Sequence, residues 1–360
     1  MQRAIPCLIM RGGTSKGAYF LATDIPSDPA GRDAVLLAAM GSPDPRQIDG
    51  MGGSHPLTSK VAIVSRSEEP GIDIDFLFAQ VSVKEAKVDT TPNCGNILAG
   101  VGPFAIERGL VVPAGDVTMV TVRTLNTGTI AELQIETPGG RVNYQGDARI
   151  DGVPGTSAPI PINFLDAEGS VCGALLPTGR AVDVVDGIPL TCIDNGMPVV
   201  LMKASSFGKT GYESPAELMA DQEMRTRIEA VRLKVGPMMN LGDVTNKVVP
   251  KMTLVAPPAA GGSIATRSFI PHECHSSIGV FAAVSVATAC VLPGSPAHDV
   301  ARIPEGAVKT MSVEHPTGEF TVRLEVEGTP DQPVIARAGL LRTARALMDG
   351  AVLVPESAFS

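Results

Sequence analysis

The chain has 360 residues, 44% of them apolar and 19% charged, and a formal net charge of −9. No run approaches about eighteen apolar residues, which argues against a membrane span, and the composition is too apolar for a disordered chain. An acidic balance with no basic block also argues against nucleic acid and anionic membrane as partners, and the length allows one large or two medium domains.

Trp is absent and Tyr occurs three times, leaving little for stacking on bases or sugars, while 38 glycines and 30 prolines foretell many turns and short strands. The opening MQRAIP lacks the apolar core of a signal peptide, so the cytoplasm is the expected location. Cys7, Cys94, Cys172, Cys192, Cys274 and Cys290 form no C-x-x-C pair and read as thiols there.

Alternating apolar and β-branched residues predict strands at 4–10 and 18–22 around the glycine-rich MRGGTSKG of residues 10–17. This is no Walker loop, because its lysine follows Thr-Ser and a strand, rather than a helix, comes next. It can still present backbone N–H groups, the Thr14 and Ser15 hydroxyls and the Lys16 ammonium to a carboxylate; a plain surface hairpin is the alternative. Residues 28–41 show the period of an amphipathic helix. GMGGSHPLTSKVAIV (50–64) then leads Ser59 and Lys60 into a strand at 61–66, and a lysine entering a core segment either snorkels or is partly desolvated and functional.

After a strand at 73–83, DTTPNCGNILAGVG sets Asn93, Cys94, Gly95 and Asn96 at the start of residues 95–106, which are apolar on every side and predict a helix buried all round. A helix start offers free N–H groups and a positive dipole end, which bind anions and favour a thiolate. Cys94 is therefore a candidate acid or base, with a buried structural cysteine as the alternative. Strands are predicted at 117–125, 130–137, 198–205, 251–257, 319–328 and 350–355, and a helix over 214–236 with Ser214 as its N-cap before Pro215. FIPHECHSSIGVF (269–281) crowds His272, Cys274 and His275 onto one short segment without the spaced ligand pairs of a zinc site. It reads instead as an entry loop to a second all-apolar helix over 278–292. No nucleophile elbow or Ser-His-Asp order is evident, so hydrolase chemistry has little support.

The two buried helices lie about half a chain apart, and other features recur in the same order at an offset of roughly 180 to 190 residues. KGAYFLA near residue 16 resembles GMPVVLMKA near 196, and TSKVAIV, with Lys60, resembles VPKMTLV, with Lys251. The expectation is an α+β chain of two similar halves, 1–184 and 185–360, each a curved sheet around a central helix, with the last strand a candidate to pack back on the first half.

MRGGTSKG, GMGG…LTSK and NCGN at a helix start resemble the PrpF family of the diaminopimelate-epimerase-like fold, a likeness that runs from IPCLIMRGGTSKGAYF through PHECHSSIGVFAA. The resemblance implies two pseudosymmetric strand-rich barrels, each around a buried helix, with the active site between them. It implies an isomerase that needs neither metal nor organic cofactor and acts on a small unsaturated tricarboxylate. Family members act on 2-methylaconitate, methylitaconate and 4-oxalomesaconate. RGGTSKGAYFLATDIP and MGSPDPRQIDGMGG most resemble members that carry out keto–enol tautomerisation of 4-oxalomesaconate in gallate breakdown.

Carried over by position, the family motifs make Cys94 and Lys60 catalytic. They give Thr14, Ser15, Lys16, Ser59, Asn93, Gly95 and Asn96 to substrate in the first half, and His272, Ser276 and Ser277 in the second. Ser276 stands where epimerases of this fold carry a second cysteine, which weighs against two-thiol racemisation, and Glu273 stands where a basic residue is expected. Methylaconitate or aconitate isomerisation is the alternative within the fold, and a non-catalytic tricarboxylate binder is the alternative of another class. A homodimer is compatible with such an enzyme, but no residue pattern specifies an interface.

Overall fold

The structure, a computed structural model, describes residues 1–165 and 167–359. Two units emerge from it, one of Met1–Leu165 with Leu341–Ser360, the other of Asp166–Leu340.

In the first unit β1 (Gln2–Gly12) and β2 (Ser15–Leu21) form an antiparallel hairpin with Gly12 opposite Ser15. α1 (Pro29–Met40) begins where Asp28 accepts a hydrogen bond from the Gly31 N–H and Pro29 occupies the first turn, and it ends at Gly41 in the left-handed region. β3 (Lys60–Arg66) runs parallel to β2, and β4 (Ile74–Val81) antiparallel to β3, with the short β5 (Val88–Asp89) on its end. α2 (Gly95–Glu107) follows, then β6 (Val117–Thr124) parallel to β4, and β7 (Ile130–Glu136) and β8 (Ile160–Leu165) antiparallel in turn.

The second unit repeats this wiring. β9 (Asp183–Val185) precedes the β10 (Ile188–Asp194) and β11 (Pro198–Lys203) hairpin, and α3 (Pro215–Ala220) and α4 (Gln222–Met238) follow. β12 (Lys251–Ala256) lies parallel to β11, with β13 (Ile264–Phe269) antiparallel to it. Then come α5 (Val280–Cys290), β14 (Val308–His315) parallel to β13, and β15 (Gly318–Thr329) and β16 (Gln332–Arg342) antiparallel in turn. Hairpin, parallel, antiparallel, parallel, antiparallel, antiparallel is the order in both units. Lys60 opposite Gly17 is matched by Lys251 opposite Val199. β17 (Ala344–Pro355) returns to the first unit, antiparallel to β1.

The strands of each unit carry a helix on both faces. α2 is buried continuously from Ile97 to Ile106, and α5 from Ala282 to Cys290, as helices without a polar side must be. On the other face of the first sheet, Val35, Leu36, Ala39 and Met40 of α1 pack with Cys7, Ala18, Phe20, Val61, Ile63, Ala79 and Val81. α4 does the same in the second unit through Met224, Ile228, Val231 and Val235. Each Val, Leu, Ile, Phe or Met among them contributes about 1.5–3 kcal/mol on full burial.

The helix predicted over 214–236 divides in two. Ser214 caps α3 through a capping box with Glu217, but Asp221 leaves helical geometry and its carboxylate caps α4 at the Met224 N–H. α5 begins two residues later than the apolar run, because Gly279 is its N-cap. Among the described residues no helix is long and apolar enough to cross a membrane.

Candidate active site

Strand alternation decides which side chains in the first unit can meet. Ala18 and Phe20 of β2, and Val61 and Ile63 of β3, turn to the α1 face. Their sequence neighbours Ser15, Gly17 and Tyr19, and Lys60, therefore turn to the α2 face. The register places Gly17 beside Lys60 and Lys60 beside Gln80. A Cβ on Gly17 would lie 2.5 Å from the Lys60 carbonyl oxygen and 3.2 Å from Ile97 Cδ1, so the start of β3 and the first turn of α2 meet at this glycine.

The β1–β2 turn lies directly on the start of α2. A Cβ on Gly12 would stand 2.3 Å from the Asn96 carbonyl oxygen, and one on Gly13, whose φ is +51°, 2.1 Å from Asn96 Oδ1. Asn96 Nδ2 donates to Thr14 Oγ1 at 2.9 Å. Behind the turn Arg11 donates to the Gly13 carbonyl at 3.0 Å, to the Thr343 carbonyl at 3.0 Å and to Ser157 Oγ at 3.1 Å, and the Gly13 N–H donates to Thr343. The loop is fixed rather than free.

Cys94 is the N-cap of α2, half-buried, with a free thiol that makes no capping bond. The first N–H groups of a helix have no partner within it, so this end keeps donors and a positive dipole for an anion. Ser15 is 2% exposed and its hydroxyl has no hydrogen-bond partner among the described residues. Asn93 donates through Nδ2 to Thr127 Oγ1, while its buried Oδ1 is unpartnered. Beneath them the Tyr19 hydroxyl donates to the Ile97 carbonyl at 2.7 Å. Burial, reinforced by the nearby Cys94 thiol, holds Tyr19 protonated far above the usual tyrosine range.

Lys60 is 8% exposed, so it does not snorkel. Its ammonium donates to Gln80 Oε1 at 2.6 Å and stands 4.9 Å above the centre of the Phe78 ring. Among the described residues no carboxylate forms an ion pair with it.

Two residues expected at the site lie elsewhere. Ser59 is fully buried, and its hydroxyl donates to the Val81 carbonyl at 2.9 Å and accepts from Gln47 at 2.7 Å, so it is spent on structure. Lys16 pairs across the hairpin with Arg11 and, one residue out of step with Ser15 and Gly17, turns to the face opposite α2.

The expected second-unit residues are not gathered either. His272, at the tip of the turn joining Phe269 to Cys274, directs Nδ1 toward Glu229 of α4 at 3.6 Å, beside a 220 Å³ cavity that includes Arg225 and Gln222. Ser276 and Ser277 precede the α5 N-cap by three and two residues; Ser276 is exposed, and Ser277 bonds to His315 Nε2 at 3.2 Å and to His275 Nδ1 through its N–H. Burial pushes the Cys274 thiol up to about 11, which suits a packing thiol and not a base. Gln80, Tyr19 and Arg11 were not singled out from the sequence. A lone glutamine inside the apolar run 73–83 was the available signal for the first.

A family model described as PrpF protein matches residues 2–355. The chain is 64% identical over 349 residues to a "(4E)-oxalomesaconate Delta-isomerase" of Novosphingobium sp., covering 97% of each chain. It is 58% identical over 353 residues to a "4-oxalomesaconate tautomerase" of Pseudomonas putida, covering 98% of this chain and 97% of that one. Among solved structures, a methylitaconate-delta-isomerase superposes with a TM-score of 0.86 at 34% identity, covering 100% of this chain and 97% of that one.

Proposed function

The chain belongs to the PrpF family, and from that premise we propose that it is an isomerase of 4-oxalomesaconate that moves a proton within its substrate through Lys60 and Cys94. In this α-keto tricarboxylate a CH₂ group lies between a carbonyl and a carbon–carbon double bond. Loss of one CH₂ proton leaves a dienolate delocalised over both. Returning the proton to oxygen gives the enol, and returning it to the far carbon moves the double bond into conjugation with the ketone. The two outcomes are a tautomerase and a Δ-isomerase reaction with a shared first step.

The observation that carries this reading is the buried, unpartnered Ser15 hydroxyl beside an uncapped helix start. A buried hydroxyl without a partner costs about 1–3 kcal/mol, a cost that a substrate carboxylate accepting its proton removes. Ser15, Thr14 and the N–H groups of Gly95 and Asn96 supply donors for carboxylate and dienolate oxygens, where preorganised donors act most strongly. Asn93 Oδ1 is free to accept a hydrogen bond. Lys60 and Cys94 serve as the proton-transfer pair.

The test is a panel of keto-4-oxalomesaconate, 2-methylaconitate and methylitaconate, each followed by ultraviolet absorbance. The proposal expects the highest kcat/KM on oxalomesaconate. A preference for either of the others overturns the substrate assignment.

A further inference from the structure

Gln80 sits in β4 directly across from Lys60. Its Nε2 donates to the Pro56 carbonyl at 3.0 Å and to the Ser59 carbonyl at 2.9 Å. Two carbonyl oxygens on one terminal atom require that atom to be the NH₂ group, so the other must be the oxygen. That oxygen is the one 2.6 Å from Lys60 Nζ. The amide therefore has a single orientation, clamped by main chain on one side and open to the ammonium on the other. The Phe78 ring, two residues earlier on the same strand face, bounds the lysine from below.

We propose that Gln80 positions Lys60 for proton transfer, and that an amide stands here because a carboxylate would hold Lys60 permanently as an ammonium. The proposal rests on the role given to Lys60 above. A lysine that takes and returns a proton needs a partner that fixes its place in both protonation states. An amide oxygen accepts from either the ammonium or the neutral amine. A carboxylate at the same distance favours the charged form alone. The side chain's recorded contacts on β4, Gln80 and Phe78, carry no titratable group. The ionisable groups on the neighbouring elements are the Cys94 thiol at the start of α2, the Tyr19 phenol on the same face of β2 and the Asp89 carboxylate of β5, opposite Gln80 in register.

The test compares wild type with Gln80→Leu and Gln80→Glu, and Gln80→Met replaces Gln80→Leu if that variant loses its melting transition. Gln80→Leu is expected to lower kcat about tenfold to a hundredfold with KM nearly unchanged, as a displaced catalytic group does. Gln80→Glu is expected to move the acidic limb of the kcat/KM profile upward by about one pH unit or more and to regain rate at alkaline pH. Competitive acetylation of Lys60, read by peptide mass spectrometry across pH, needs no substrate, and its midpoint is expected to move upward in Gln80→Glu. A wild-type labelling midpoint in Gln80→Glu overturns the proposal. So does a Gln80→Leu enzyme with wild-type kcat. Failure of wild type to turn over oxalomesaconate, with the labelling shift present, counts against the substrate and not against Gln80.

Discussion

Ser15→Ala should stabilise the free protein and weaken its hold on substrate. The hydroxyl is 2% exposed and unpartnered among the described residues, so folding strips it of water without replacing the lost hydrogen bonds. Removing it relieves about 1–3 kcal/mol, which in a unit of this size raises the melting temperature by about 2–4 °C per kcal/mol. The backbone tolerates the change, because residue 15 is an ordinary strand position opposite Gly12. In the proposed complex the same hydroxyl would donate to a carboxylate, a bond contributing about 1.5–3 kcal/mol, so affinity should fall roughly tenfold to 150-fold. Calorimetric melting without ligand measures the first effect, and titration with tricarballylate, an unreactive tricarboxylate, measures the second. The opposed signs are the diagnostic, since functional groups often cost stability where they wait for a ligand. A variant that melts lower and binds tricarballylate as wild type does would show Ser15 to be structural.

Cys94→Ser should lower kcat by about 10²–10⁴ and leave KM nearly unchanged, because a hydroxyl exchanges protons far less readily near neutrality than a thiol; near-normal turnover would remove Cys94 from the proton path. Iodoacetamide near neutral pH should modify Cys94 ahead of Cys172, Cys192 and Cys274, whose thiols burial pushes up to about 12, 12 and 11; peptide mapping that finds one of these three labelled first contradicts the site's exposure pattern. Gly100→Ala should destabilise by about 1–3 kcal/mol in a denaturant melt, because the new methyl would lie 2.4 Å from the Tyr19 hydroxyl that braces the helix start. Burial lowers the Lys251 pKa below the ordinary lysine value, so its charge costs stability, in full at any pH below the lowered value. As pH rises through the window between the lowered and the ordinary value the unfolded chain binds more protons and the cost fades. Lys251→Met should therefore raise the melting temperature near neutrality by more than in alkali, and a constant difference across pH contradicts this.

The sequence carried the helices better than the strands. Asp28, Pro29 and Gly41 mark the ends of α1, and NCGN marks the start of α2, because caps are local chemistry. β5, β8, β9, β10, β13, β14 and β16 were not anticipated; stretches such as SIATRSF and VKTMSVEH mix small and polar residues, and their pairing with distant strands makes them strands. The duplication was legible from Lys60 and Lys251, which take matching registers. The site was legible as a neighbourhood but not residue by residue. Ser15 and Lys16 were read as adjacent partners, yet a pleated strand sends adjacent side chains to opposite faces, and Ser59 was read beside Lys60, yet its hydroxyl is spent on Val81 and Gln47. Gln80 was invisible for another reason: its bond to Lys60 crosses two strands and 20 positions of sequence.

The reaction proposed for this chain is movement of a proton within 4-oxalomesaconate through Lys60 and Cys94. Proton NMR of the purified protein with keto-4-oxalomesaconate in D₂O, with chelator present and a no-enzyme control, tests it most directly. Enzyme-dependent loss of the CH₂ signal, with deuterium appearing there or at the far carbon, is the predicted result, and its position distinguishes enol from shifted double bond. Spectra that match the control over the same interval would contradict it.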